Sequence, residues 1–337
     1  MKVDIKTVAR KAGVSTATIS RVLADFKGVR EETRKKVINV IEQLNYEVNA
    51  VARSLRQQRT YTIGIIVGNV LSQFYSIIAK SVEDTAKKAG YNLILCNGDD
   101  DPQKELEYLK ILKSNRVDGI ILTPTGKNSE YINYLIDSGT KVVLLDRLVE
   151  NVSCDAVLVD NFKGAYTATK YLTDQGYRKI AIITGFLDRT TGKKRLNGYL
   201  VALKEAGIKK DHKLIKIGDF KKESGISLTK DLISSLPIPE AIFVTNIDMT
   251  LGALIAIKEA GLKIPDDIGI VGFDDPDWST VIDPPLTTIN QPVYNLGATA
   301  SEVLIKKIES SQVHNSKQPL IITLNTSLVI RCSTLKK

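Results

Sequence analysis

The chain has 337 residues, 43% hydrophobic and 25% charged, which is enough to bury a large core in two or more domains. Its net charge of +9 is uneven: residues 1–60 hold 13 Lys/Arg against 6 Asp/Glu, so +7 of the surplus lies there. The opening MKVDIKTVAR has no signal-like apolar run and no later stretch approaches a membrane span. Three scattered cysteines (Cys96, Cys154, Cys332) form no CxxC pair, so export, membrane insertion and a disulfide or metal framework are not expected and a cytoplasmic location is.

Residues 4–22, DIKTVARKAGVSTATISRV, have the proportions of a helix-turn-helix. Asp4 can cap a first helix on which Val8, Ala9 and Ala12 form a narrow apolar stripe. Gly13 suits the tight turn, Val14 packs beneath it, and Ser15 caps a second helix. Ile19 and Val22 then face inward, leaving Thr16, Ala17, Thr18 and Arg21 outward. A third amphipathic segment, EETRKKVINVIEQLNY, puts Val37, Ile41 and Leu44 on one side and completes a small core. The concentrated positive charge fits a module that meets a polyanion, although a solvated basic face accounts equally well for charge alone.

The stretch NAVARSLRQQRT, residues 49–60, carries few apolar contacts, chiefly Val51, Ala52 and Leu55. So short and polar a segment does not hold itself helical in water. It is either a basic linker or an element ordered by something negative.

From Tyr61 the pattern changes. TIGIIVG, YNLILCN, VDGIILT and KVVLLD read as buried parallel strands with helices between them, and KIAIITG, HKLIKIG, EAIFVTN and DIGIVGF form a second such series. In DDPQKELEYLKILKSNR, Asp101 can cap a helix, Pro102 suits its first position, and Leu106, Leu109 and Leu112 share one side. Two series predict two doubly wound lobes, with a ligand cleft beyond the carboxyl ends of the strands. PPLTTINQPVYNLG reads as an extended crossover followed by a helix, so the lobes exchange chain more than once. Asp99 to Asp101 reads as a solvated loop and helix cap. His212 and His314 lie in polar, loop-like settings, and HExxH, GxGxxG and phosphate-loop motifs are missing. No catalytic residue, metal ligand or cofactor is therefore assigned, and an enzyme is not expected.

In order and spacing, IKTVARKAGVSTATISRVL, VREETRKKVINVIEQLNYEVNAVARSL, DGIIL, GFLDRTTGKKRLNGY, VGFDD and PPLTTINQP resemble the LacI/GalR family of transcription regulators over essentially the whole chain. The resemblance implies an α/β fold class. A three-helix helix-turn-helix domain (1–46) and a hinge helix with linker (47–60) precede an effector-binding core (61–337). That core has two doubly wound α/β lobes of periplasmic-binding-protein type, one about 61–161 and 291–322, the other about 162–290 and 323–337. Implied partners are double-stranded operator DNA, a second copy in a homodimer, and a small-molecule effector, a sugar or sugar acid; no membrane is implied.

Thr16, Ala17 and Arg21 occupy the family's base-reading positions, and the fork of Arg21 suits guanine. Ser15, Thr18 and Asn49 take phosphate or positioning contacts. In the hinge, Leu55 would wedge into the minor groove, Ala52 would allow two hinge helices to approach, and Arg56 would reach the groove or phosphates. The plain alternative for Leu55 is contact with the core. Two departures stand out: Arg30 replaces a Ser or Thr cap, and Val48 replaces a proline, which raises the cost of ordering the hinge. The ending SLVIRCSTLKK carries no leucine-heptad tail, so a dimer is expected rather than a tetramer.

The same resemblance places Arg189, Thr191, Arg195, Asn246 and Asp274 in the effector cleft from the second lobe, with Phe220 as an aromatic platform. Gln73, Phe74 and Asp146 come from the first lobe. Polar forks beside an aromatic face suit a polyol. VTNIDM departs from the family's commoner Asn-Asp order, so Asp248 either substitutes in the cleft or caps the following helix, the cap being the expectation, and Asp274 has a structural alternative, closing a turn. Arg147 is either an ion-pair bystander or, facing the cleft with Arg189 and Arg195, the sign of an acidic ligand. The competing readings are a soluble sugar-binding receptor, which needs export, and a nucleotide-binding enzyme, which needs a phosphate loop.

Overall fold

The computed structural model describes residues 4–23, 26, 28–46, 59–310 and 318–335, in two compact units, 1–60 and 61–337. The first unit holds helices α1 (Ile5–Ala12), α2 (Thr16–Leu23) and α3 (Glu31–Gln43). Asp4 Oδ1 accepts from Thr7 N at 2.8 Å and so caps α1, while Gly13 ends it at φ +64°, a left-handed turn that disfavours any Cβ. Ser15 Oγ accepts from Thr18 N at 3.1 Å at the start of α2. Val8, Ala9, Ala12, Ile19, Val22, Val37 and Val40 form the buried centre, with Val14, Ile41 and Leu44 packed at its rim. Arg30 stands at the head of α3 without a side-chain cap.

The second unit contains two six-stranded sheets. The first holds β1 (Thr62–Val67), β2 (Asn92–Asn97), β3 (Gly119–Leu122), β4 (Lys141–Leu145), β5 (Asp155–Val159) and β11 (Ile321–Leu324), in the order β11-β5-β4-β3-β1-β2. The second holds β6 (Ile180–Thr184), β7 (Ile215–Ile217), β8 (Ala241–Val244), β9 (Gly269–Phe273), β10 (Thr287–Asn290) and β12 (Ser327–Val329), in the order β12-β10-β9-β8-β6-β7. Pairing is parallel except between β10 and β12. The central strands are apolar because both faces are buried, as parallel sheets require.

Helices α4 (Gln73–Lys88), α5 (Pro102–Ser114), α6 (Ser129–Asp137) and α11 (Val293–Glu309) belong to the first lobe. The second has α7 (Asn161–Asp174), α8 (Thr190–Glu205), α9 (Lys222–Ser234) and α10 (Ile247–Glu259). The chain passes between sheets three times: after β5, after β10, and between β11 and β12. In α5, Asp101 caps and Pro102 opens the helix as expected, but Glu105 takes a buried place beside Leu109 and Leu112 while Leu106 stays half-buried. Among the described residues, no helix is long and apolar enough to cross a membrane.

Candidate functional site

In the first unit, Thr16, Ala17 and Arg21 lie exposed along α2, and Arg21 is 6.0 Å from the ring of Phe26. Ser15 and Thr18 are partly engaged already, their hydroxyls 3.0 Å apart. Asn49, Ala52, Leu55 and Arg56 lie outside the described residues.

In the second unit, the loops beyond the carboxyl ends of the strands from both sheets enclose a cleft of about 380 Å³. Phe74, Asp146, Thr191, Arg195, Phe220, Asn246 and Asp274 all line it. Gln73 and Arg189 do not. Gln73 occupies the first position of α4, between Ser72 and Phe74, which do reach the cleft, and the helical turn takes it off that face. Arg189 precedes α8 and packs against the Phe186 ring, 5.8 Å away, with Nη1 beside Gly126.

Buried charge organises the interior. Arg147, 4% exposed, donates from Nη1 to Asp100 Oδ1 at 2.5 Å and from Nη2 to the Tyr75 hydroxyl at 2.9 Å. Its Nε lies 3.5 Å from Asp146 Oδ2, and the Phe220 ring of the opposite lobe covers it at 5.3 Å. Arg195 donates to Asn161 Oδ1 at 2.7 Å and to the Thr245 carbonyl at 2.5 Å, stacked 3.7 Å from the Phe273 ring centre. Burial drags Arg195 below the ordinary guanidinium range despite the charges of Asp274 and Asp146.

Asp274, at φ +82°, accepts from Ile247 N at 3.1 Å and from the Gln291 amide. Burial pushes its carboxyl up to about 6, against the pull of Arg195 and the Gln291 hydrogen bond. Burial likewise raises Asp146 against Arg147 and Arg195.

Two expectations change here. Asp248 does not cap α10; Asn246 does, accepting from Met249 N at 2.9 Å and donating to the Phe220 carbonyl at 3.2 Å. Asp248 instead lines the cleft, where burial raises its carboxyl against the opposing pull of Ser72 from the first lobe. Nor is Asp100 part of a solvated loop, because it holds Arg147. Arg147 faces the cleft, but its fork is already committed to acidic and phenolic partners.

The sequence reading missed Gln291, Tyr75 and Asp100. Gln291 was findable, since it directly follows a strand at the cleft end, as Asp146 and Asp274 do. Four buried polar atoms of the lining residues have no hydrogen-bond partner: Asp146 Oδ1, Gln291 Oε1, Arg147 Nε and Thr191 Oγ1.

Residues 4–49 match the family model described as bacterial regulatory proteins, lacI family, and residues 60–332 match that for periplasmic binding proteins and the sugar binding domain of the LacI family. The chain is 37% identical to the HTH-type transcriptional regulator RegA of Clostridium saccharobutylicum, over 93% of this chain and 95% of that one. It is also 37% identical to the HTH-type transcriptional repressor PurR of Pasteurella multocida, over 98% of each. The crystal structure of the lac repressor dimer bound to operator and the anti-inducer ONPF superposes with a TM-score of 0.88, at 28% identity over 100% of both chains.

Proposed function

Because the chain belongs to the LacI family of DNA-binding transcriptional regulators with a ligand-binding core, we propose that it is a repressor, released from its operator when a neutral sugar fills the cleft. The observation that carries the effector class is the set of unpartnered polar atoms. Asp146 Oδ1 and Gln291 Oε1 can only accept, Arg147 Nε can only donate, and Thr191 Oγ1 can do either. A sugar hydroxyl both donates and accepts, so a polyol can satisfy all four. A sugar acid brings an acceptor-only carboxylate into a lining with seven Asp and only four Lys or Arg. Phe74 and Phe220, from opposite lobes, offer apolar faces for ring C–H groups, and the volume suits a monosaccharide.

On the DNA side, Thr16, Ala17 and Arg21 read base edges while Ser15 and Thr18 position the helix. Asn49, Ala52, Leu55 and Arg56 keep the hinge roles the family suggests, Leu55 as the wedge at the centre of a pseudo-palindromic operator bound by a homodimer. The protein acts in the cytoplasm by binding alone and catalyses no reaction.

A thermal-shift panel of aldopentoses, aldohexoses and the matching uronic acids tests the effector class. A ligand at 100 times its Kd adds about 2.7 kcal/mol to the folded state. The expected result is stabilisation by a neutral sugar, which then also weakens operator binding. A uronic acid that stabilises more than its neutral parent overturns the neutral-sugar reading.

A further inference from the structure

Asp274 and Asp275 are neighbours in the chain with opposite surroundings. Asp274 stands at φ +82°, a backbone conformation that is costly for an L residue and lasts only where its surroundings fix it. Its carboxyl enters the cleft, whereas that of Asp275 meets Arg331, two residues beyond β12. Arg331 Nη1 donates to Asp275 Oδ1 at 2.7 Å and Nη2 to Oδ2 at 2.9 Å, the two side chains being only 17% and 16% exposed. Ser279 Oγ and Thr288 Oγ1 also donate to Oδ1, at 2.7 and 2.9 Å. Against the raising effect of burial, these contacts hold the Asp275 carboxyl below the ordinary carboxylate value. Arg331 reaches β10 as well: Nη1 donates to the Leu286 carbonyl at 2.7 Å and its backbone N to Thr287 Oγ1 at 3.0 Å. Ser333 Oγ accepts from Thr287 N at 2.8 Å and donates to the Ile270 carbonyl at 2.7 Å. The terminal segment therefore ties the exit of β9 to the start of β10, the strands that deliver Asp274 and Gln291 to the cleft.

We propose that Arg331 is a positioning residue for the cleft: without lining it, Arg331 fixes the Asp274 turn through Asp275 and so holds the Asp274 carboxylate beside Gln291. Its bearing on effector binding rests on the cleft being the effector site; the geometric role does not.

The fork matters because a planar guanidinium fixes both oxygens of Asp275 at once, which a single ammonium cannot do. Both partners are largely desolvated, so removing Arg331 leaves a buried carboxylate without its counter-charge. Asp275 then turns towards water, and the peptide that joins it to Asp274 turns with it. Asp274 loses its hold on Ile247 N and on the Gln291 amide, the two contacts that aim its carboxyl into the cleft.

Urea melts of the full-length protein, without sugar, test the geometry. In the wild-type background Asp274→Asn should gain relative stability from about pH 4.5 to about pH 7.5, because burial pushes the Asp274 carboxyl up to about 6. Arg195 from α8 and Asp146 from beyond β4 are the charges that face it. In an Arg331→Met background that gain should be lost, since a released Asp274 meets water and titrates as an ordinary carboxylate. Any change in Asp275 is common to both members of the comparison and cancels. A merely structural role for Arg331 lowers stability at both pH values and leaves the gain intact, so an undiminished gain overturns the proposal. Should Arg331→Met fail to fold, Arg331→Lys, which keeps the charge without the fork, decides by the same measure. The second arm is thermal shift with aldopentoses and aldohexoses. For a sugar that stabilises the wild type, the half-maximal concentration should rise about tenfold in Arg331→Lys, as for one lost hydrogen bond to a charged group. Equal concentrations overturn the positioning role. A panel in which no sugar stabilises the wild type counts against the effector reading only, and the urea comparison then decides the role of Arg331.

Discussion

Asp274 concentrates the cleft's electrostatic tension in one residue. Its buried carboxyl, pushed up to about 6, lies above the ordinary value of 3.8. The stability that its protonated form contributes is complete below about pH 4 and is lost as pH rises to about 6. At neutral pH the ionised group therefore costs on the order of 3 kcal/mol. Urea melts of wild type and Asp274→Asn at pH 4.5 and 7.5 should show the Asn variant gaining relative stability at the higher pH. A difference between the two proteins that does not change with pH would contradict this account. The same variant should bind operator near normally yet lose its sugar response. Asp274 was legible because its motif names it, as were Thr191, Arg195 and Phe220. Asp100 was not, since the arginine that holds it lies 47 residues away and nothing local in an Asp-Asp-Asp run announces a distant partner.

Helix α3 shows what a missing cap leaves open. Arg30 makes no side-chain hydrogen bond to the first turn, although Glu31 and Glu32 there favour the positive end of the helix dipole. Arg30→Ser should restore a cap and stabilise α3 by about 1 kcal/mol, read as slower amide exchange in Glu31–Gln43 of the full-length protein. Faster exchange would mean that Arg30 serves the helix start in another way. Elements were read from sequence where burial imposed a pattern. The eight strands expected from β-branched runs are present; six are covered on both faces, while β2 and β7 are sheet-edge strands that stay partly exposed. β11 and β12 were invisible: they are short and half-exposed, and their alternation is too brief to separate from loop. β5 (DAVLV) was missed although it is almost wholly buried and no shorter than β3, β4 or β8, which were read.

For the whole molecule, the separation into units 1–60 and 61–337 predicts separable losses. A chain lacking residues 1–60 should lose operator binding, seen as loss of retention on operator DNA at low salt, yet keep the thermal shift given by a stabilising sugar. Undiminished retention would remove the DNA-reading role from the first unit. The three crossings between sheets have a consequence in time. A chain is made from its N-terminus at about 5–20 residues per second. The helix-turn-helix is complete once α3 ends at Gln43, but the first sheet waits for β11, which pairs with β5 from Ile321 onward. For some tens of seconds the nascent protein carries its DNA-reading helices before its sensor exists. Premature termination in that interval leaves a fragment that has the means to find DNA and no cleft through which a ligand could govern it.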